Sequence, residues 1–61
     1  MDVKERIKNF LKEYEQLCKK YKIIIDGDYV DLWDIEEEKE IEEHIRELKE
    51  NAEETYRIKL T

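Results

Sequence analysis

Two side chains of this 61-residue chain have the reactivity for chemistry of their own, Cys18 and His44. Cys18 precedes Lys19, and a thiol beside an ammonium has a lowered pKa when it is exposed, as a nucleophile needs. It also lies on the apolar edge of a helical pattern, where a small core hydrophobe is the commoner role of a free cysteine. The chain contains no serine, so nucleophilic catalysis has little to build on. His44 follows Glu40 by one helical turn and could join it in a carboxylate and imidazole metal site. Pairs four residues apart arise by chance on any charged helix, however, so a solvated histidine at the helix edge is the expected role. One cysteine and one histidine fall short of the four ligands of structural zinc, and a lone cysteine cannot form an internal disulfide. There is no phosphate loop, dinucleotide fingerprint or zinc spacing. Paired carboxylates are abundant, yet acid and base catalysis needs an enclosed pocket that raises one pKa, and so short a chain cannot build one. The expectation is a protein that is not an enzyme and needs no cofactor or metal.

Two features suit binding instead. Glu36, Glu40, Glu43, Glu47, Glu50 and Glu54 step 4, 3, 4, 3, 4, which on a helix makes an anionic stripe about 27 Å long at about 1.5 Å per residue. A charge every 5 Å or so resembles the phosphate spacing of a nucleic-acid strand, so the stripe could imitate one toward a nucleic-acid-binding protein. The plainer alternative is a solubilising face. The second feature is an aromatic patch of Ile24, Tyr29 and Trp33 on one side of a β-hairpin. Tyrosine and tryptophan are enriched at interface hot spots. Either the second helix packs over this patch or another chain covers it.

The elements that must position these residues follow from periodicity. Asp2 with Glu5 has capping-box spacing, and Val3, Ile7, Phe10, Tyr14, Leu17 and Tyr21 continue at helical steps, with Leu11 and Cys18 widening the stripe on one side. Lys4, Lys8, Lys12, Glu15 and Lys19 take the opposite face. Ile23, Ile24 and Ile25 are three β-branched residues in a row, which favour a strand. Asp26-Gly27-Asp28, with the only glycine of the chain, signals a tight turn before Tyr29 to Trp33. With a loop of two or four residues, Ile23, Ile25, Val30 and Leu32 share one face, expected under the first helix, and Ile24, Tyr29, Asp31 and Trp33 share the other. Asp34 with Glu37 repeats the capping-box spacing, and Ile41, Ile45, Leu48 and Ala52 define a second helix from about Ile35 to about Thr55. Residues 56–61 alternate apolar and polar, the pattern of a short third strand. The predicted fold is α+β, a helix, hairpin and helix in one domain over residues 1–61, with that third strand as an optional addition.

Composition narrows the class of partner. Residues 1–22 carry a net charge of +3 and residues 34–54 a net charge of −8, within a total of −6. Such an anionic face disfavours direct binding to duplex nucleic acid and favours a protein with a basic surface. A core this small rarely supplies more than about 3–5 kcal/mol, and with disulfide and zinc excluded, association into a homodimer is the expected remedy. A lone thiol, no recognisable leader and no apolar run near 18 residues point to the cytoplasm and to no membrane span.

The run Leu17-Cys18-Lys19-Lys20-Tyr21-Lys22-Ile23, a helix ending in tyrosine and leading straight into a hairpin, resembles a pattern of small uncharacterised phage and prophage proteins. It spans the first half of the chain, with Lys22 where glycine often follows the tyrosine. The resemblance implies a context in which tiny acidic proteins act by occupying a host protein. The expected function is therefore a protein-binding module that inhibits or occludes its partner. Alternatives are a nucleic-acid mimic, a protein that sequesters a small ligand such as a nucleotide at a dimer interface, and a structural subunit.

Overall fold

A computed structural model describes residues 2–26 and 31–60. The order is α1 (Val3–Tyr21), β1 (Ile23–Asp26), β2 (Asp31–Asp34) and α2 (Glu38–Tyr56), the predicted α+β arrangement. α1 begins where its capping box predicts: Asp2 Oδ1 accepts from the Glu5 backbone N–H at 2.9 Å. That bond satisfies one of the amides that the first turn leaves without an internal partner.

The end of α1 sets the course of the hairpin. Lys22 takes a left-handed conformation, φ 58°, and its N–H bonds the Cys18 carbonyl, closing the helix and turning the chain into β1. The Ile35 N–H then donates to the Lys22 carbonyl at 2.7 Å, clamping the exit of the hairpin to its entrance. A left-handed residue with a Cβ costs about 1–2 kcal/mol, and the Lys22 ammonium makes only a long, exposed contact of 3.9 Å to Glu38, the kind of pair that contributes little. Lys22→Gly is therefore expected to stabilise the fold by about 0.5–1 kcal/mol, after allowance for the greater freedom of an unfolded glycine. A melting temperature raised by several degrees would show it, and a lower one would contradict the placement of this residue.

The strands pair antiparallel in the register Ile23 with Asp34, Ile24 with Trp33, Ile25 with Leu32 and Asp26 with Asp31. Four residues separate Asp26 from Asp31, so the predicted division of faces holds: Ile23, Ile25 and Leu32 lie on one side and Ile24 and Trp33 on the other. Gly27, Asp28, Tyr29 and Val30 lie outside the described residues.

The core joins both helices and the hairpin. Cys18, Ile41 and Ile45 are buried together, with Tyr14, Ile24, Ile35 and Leu48 packed against them. Leu11 is buried farther along α1. The Lys19 ammonium ties the helices at the surface, 3.2 Å from Glu15 on its own helix and 3.6 Å from Glu42 on α2. The hydrogen bond to Glu15 raises the Lys19 pKa above its ordinary value, against a smaller effect of burial.

Three expectations are corrected. α2 starts at Glu38 with Glu37 as its N-cap, which makes no side-chain capping bond; Asp34 belongs to β2, so the second capping box does not form. The third strand is absent among the described residues. Arg57 instead closes α2 in a left-handed conformation, φ 53°, and the Ile58 N–H reaches back to the Glu53 carbonyl at 3.2 Å, the hydrogen-bonded signature of a helix end. The Leu60 N–H then donates to Glu53 Oε2 at 2.8 Å, holding the tail against the bundle, where Leu60 lies near Leu11, Lys12 and Lys49. Finally, burial on α1 is centred on Leu11 and Cys18 rather than on the middle of the predicted stripe, so Val3, Phe10, Leu17 and Tyr21 are left exposed.

Candidate protein-interaction surfaces

The glutamate stripe stands on the outside of α2. Glu40, Glu43, Glu47, Glu50 and Glu54 are exposed along the helix, because Ile41 and Ile45 on the same helix are drawn into the core and fix its rotation. Glu36 is exposed too, but it precedes the first turn. The helical part of the stripe thus runs from Glu40 to Glu54, about 21 Å at about 1.5 Å per residue. The carboxylates that form ion pairs among the described residues are Glu15, Glu38 and Glu42, none of them in the stripe. Its charges remain available to a cation from outside.

The predicted aromatic patch is divided. Ile24 is half-buried and packs on the Cys18, Ile41 and Ile45 cluster, the first of the two fates foreseen for it. Trp33, paired beside it, keeps 53% of its surface exposed. Tyr29 lies outside the described residues. Ile24 turns inward because Ile35, bonded to Lys22, brings the chain into α2 on the Ile24 side of the hairpin.

The exposed apolar surface lies on the other side. Ile25 and Leu32, the latter 71% exposed, border an apolar groove with Tyr14, Leu17, Tyr21 and Ile23. It continues along α1 to Phe10, 63% exposed, whose ring stacks on Tyr14 with centroids 6.0 Å apart and planes 6° from parallel. The sequence carried a signal for this surface: the apolar stripe of α1 is wider than one neighbouring helix can cover.

Tyr14 links all three layers. Its hydroxyl accepts the Ile25 N–H at 2.9 Å and lies 2.9 Å from His44 Nε2 on α2, with the rings tilted by 60°. Since the oxygen accepts from Ile25, its own proton is free to go to Nε2 in the tautomer that carries its hydrogen on Nδ1. Burial raises the Tyr14 pKa above 10.0, the Ile25 amide partly opposes this, and Cys18 adds to the rise. His44 is therefore half-buried and partnered, a correction to the expected solvated histidine. Its partner is thirty residues away, beyond any local pattern. Cys18 keeps only 2% of its surface exposed, which fits the role of a core hydrophobe. Among the described residues no group of three or more histidine, cysteine, aspartate or glutamate side chains is placed to hold a metal ion, and no helix is long and apolar enough to cross a membrane. Compared with family models, with curated proteins and with solved structures, the chain matches none.

Proposed function

We propose that this chain is a non-catalytic protein-binding module of the cytosol that occludes a partner with a basic surface. The observation that carries the reading is the imbalance of its apolar residues. Leu11, Cys18, Ile41 and Ile45 make up the buried core, while Phe10, Leu17, Tyr21, Ile25 and Leu32 are among the large side chains left outside. A contiguous apolar surface of this kind ordinarily marks contact with another polypeptide. Aromatic groups within it supply durable contacts. The stripe on α2 adds selectivity, since a row of unpaired carboxylates steers toward cationic surfaces and repels nucleic acid. Occlusion of a host protein also fits the phage-type pattern at the junction of α1 and β1.

The test is capture of binding proteins from nuclease-treated bacterial lysate by the tagged chain, washed at low and at high salt, beside the Glu43→Lys, Glu47→Lys double variant. One basic protein held by the wild type, released by salt and lost in the variant is the expected outcome. Equal capture by both chains would remove the stripe from the mechanism, and no capture at either salt would remove the reading.

A further inference from the structure

We infer that the exposed face of α1 is a self-docking surface, on which a second copy of this chain packs its own α1 antiparallel about a two-fold axis. The inference rests on the protein-binding reading and names the occupant of its apolar face.

The first support is area. A folded monomer of 7.6 kDa is expected to expose about 4,300 Å², whereas this chain exposes 5269 Å², an excess of about 1,000 Å². Its radius of gyration is 11.8 Å, against about 10.5 Å for a compact chain of this length. A standard interface removes about 800 Å² from each partner. One such contact would bring the exposed area near the value for a well-closed fold.

The second support is self-complementarity, which a two-fold interface demands because each residue pair occurs twice with roles exchanged. Phe10, Tyr14, Leu17 and Tyr21 step 4, 3, 4, a series that reads the same in both directions. Laid antiparallel, Phe10 meets the partner's Tyr21 and Tyr14 meets the partner's Leu17. The row lies about 80° around the helix from the Leu11 and Cys18 line, at about 100° per residue; Phe10, Leu17 and Tyr21 are exposed beside the core, while Tyr14 is half-buried at its edge. The flat stack of Phe10 on Tyr14 gives a surface on which a second such row can lie.

Charge selects the same pairing. On the flank of the row away from the core stand Glu13 and Lys20, bordering one cleft with Phe10 and Leu17. Being seven residues apart they stand two turns from each other on one helix, but in the antiparallel pair each Glu13 approaches the partner's Lys20, twice over. The stripe of α2 is uniformly negative and would repel its own copy. Of the two surfaces, only the α1 face can receive a second chain.

Sedimentation of the full chain across a range of concentrations tests the inference. A reversible dimer is expected, converted to monomer by Leu17→Glu with the helical circular dichroism retained. Glu13→Lys and Lys20→Glu should each raise the dissociation constant about tenfold or more by facing like charges, and the double variant, which restores opposite charges in exchanged order, should recover most of the affinity. That recovery keeps the test valid if Leu17→Glu fails to fold. A wild type that stays monomeric at every concentration, or a double variant weaker than either single one, would overturn the inference. A monomer that still captures a basic protein would end this inference alone, and a dimer that captures nothing would end the protein-occlusion reading alone.

Discussion

Replacing Ile41 by alanine is expected to unfold most of the chain at physiological temperature. Ile41 is the one large side chain among the described residues with no exposed surface, and it sits between Cys18 of α1 and Ile45 of α2. Removing such an isoleucine costs about 2–5 kcal/mol, the lost transfer energy plus the cavity left behind. A core of this size rarely supplies more than about 3–5 kcal/mol, so the loss is of the order of the whole stability. Denaturant titration followed by far-ultraviolet circular dichroism would show the transition midpoint moving close to zero denaturant. Glu54→Ala, on the exposed side of the same helix, should move stability by no more than about 0.5 kcal/mol. An Ile41→Ala chain as stable as the wild type would mean that the two helices do not meet at this residue.

Tyr14→Phe is expected to cost about 1–2 kcal/mol near neutral pH and to flatten the loss of stability in alkali. The ring and its packing remain, but the hydroxyl that accepts from the Ile25 amide and reaches His44 Nε2 is gone, and each such bond contributes about 0.5–1.5 kcal/mol net. The alkaline effect follows from the direction of the pKa. Burial chiefly holds the Tyr14 hydroxyl above 10.0, so the native state keeps this proton more tightly than the unfolded one. The corresponding stability is fully present below about pH 10 and is lost as pH rises through the native value. Lys19, raised by Glu15, acts in the same direction and is left in the variant. Melting temperatures measured from neutral pH upward should therefore fall less steeply for Tyr14→Phe than for the wild type, without becoming level. Parallel curves would show that the Tyr14 hydroxyl does not join the three layers.

Much of the fold was legible because its signals are local. Asp2 caps α1 through the Glu5 amide, the three isoleucines form β1, and Ile41 and Ile45 define the buried line of α2. The glutamate stripe was legible for the same reason, since the rotation that buries those isoleucines exposes it. The misreadings occur where two local signals coincide or where a distant contact decides. Asp34 has both the spacing of a cap and a place opposite Ile23 in the ladder, and the ladder prevails because the Ile35 amide is fastened to Lys22. The alternation after Tyr56 looks like a strand, yet these residues face a helix end whose carbonyl and carboxylate at Glu53 receive their amides. Which side of the hairpin turns inward depends on the left-handed Lys22, a conformation that a lysine does not advertise. The link between Tyr14 and His44 depends on how α1 and α2 are rotated against each other, and so does the exposure of Phe10, Leu17 and Tyr21.

The most direct measurement of the central claim is a magnetic-resonance titration of the isotope-labelled chain with the basic protein it captures. Binding through the stripe predicts resonance changes concentrated at Glu40, Glu43, Glu47, Glu50 and Glu54, diminishing as salt is raised and absent with Glu43→Lys, Glu47→Lys. Changes confined to other surfaces, or equally strong with the charges reversed, would contradict a module that finds its partner through this face.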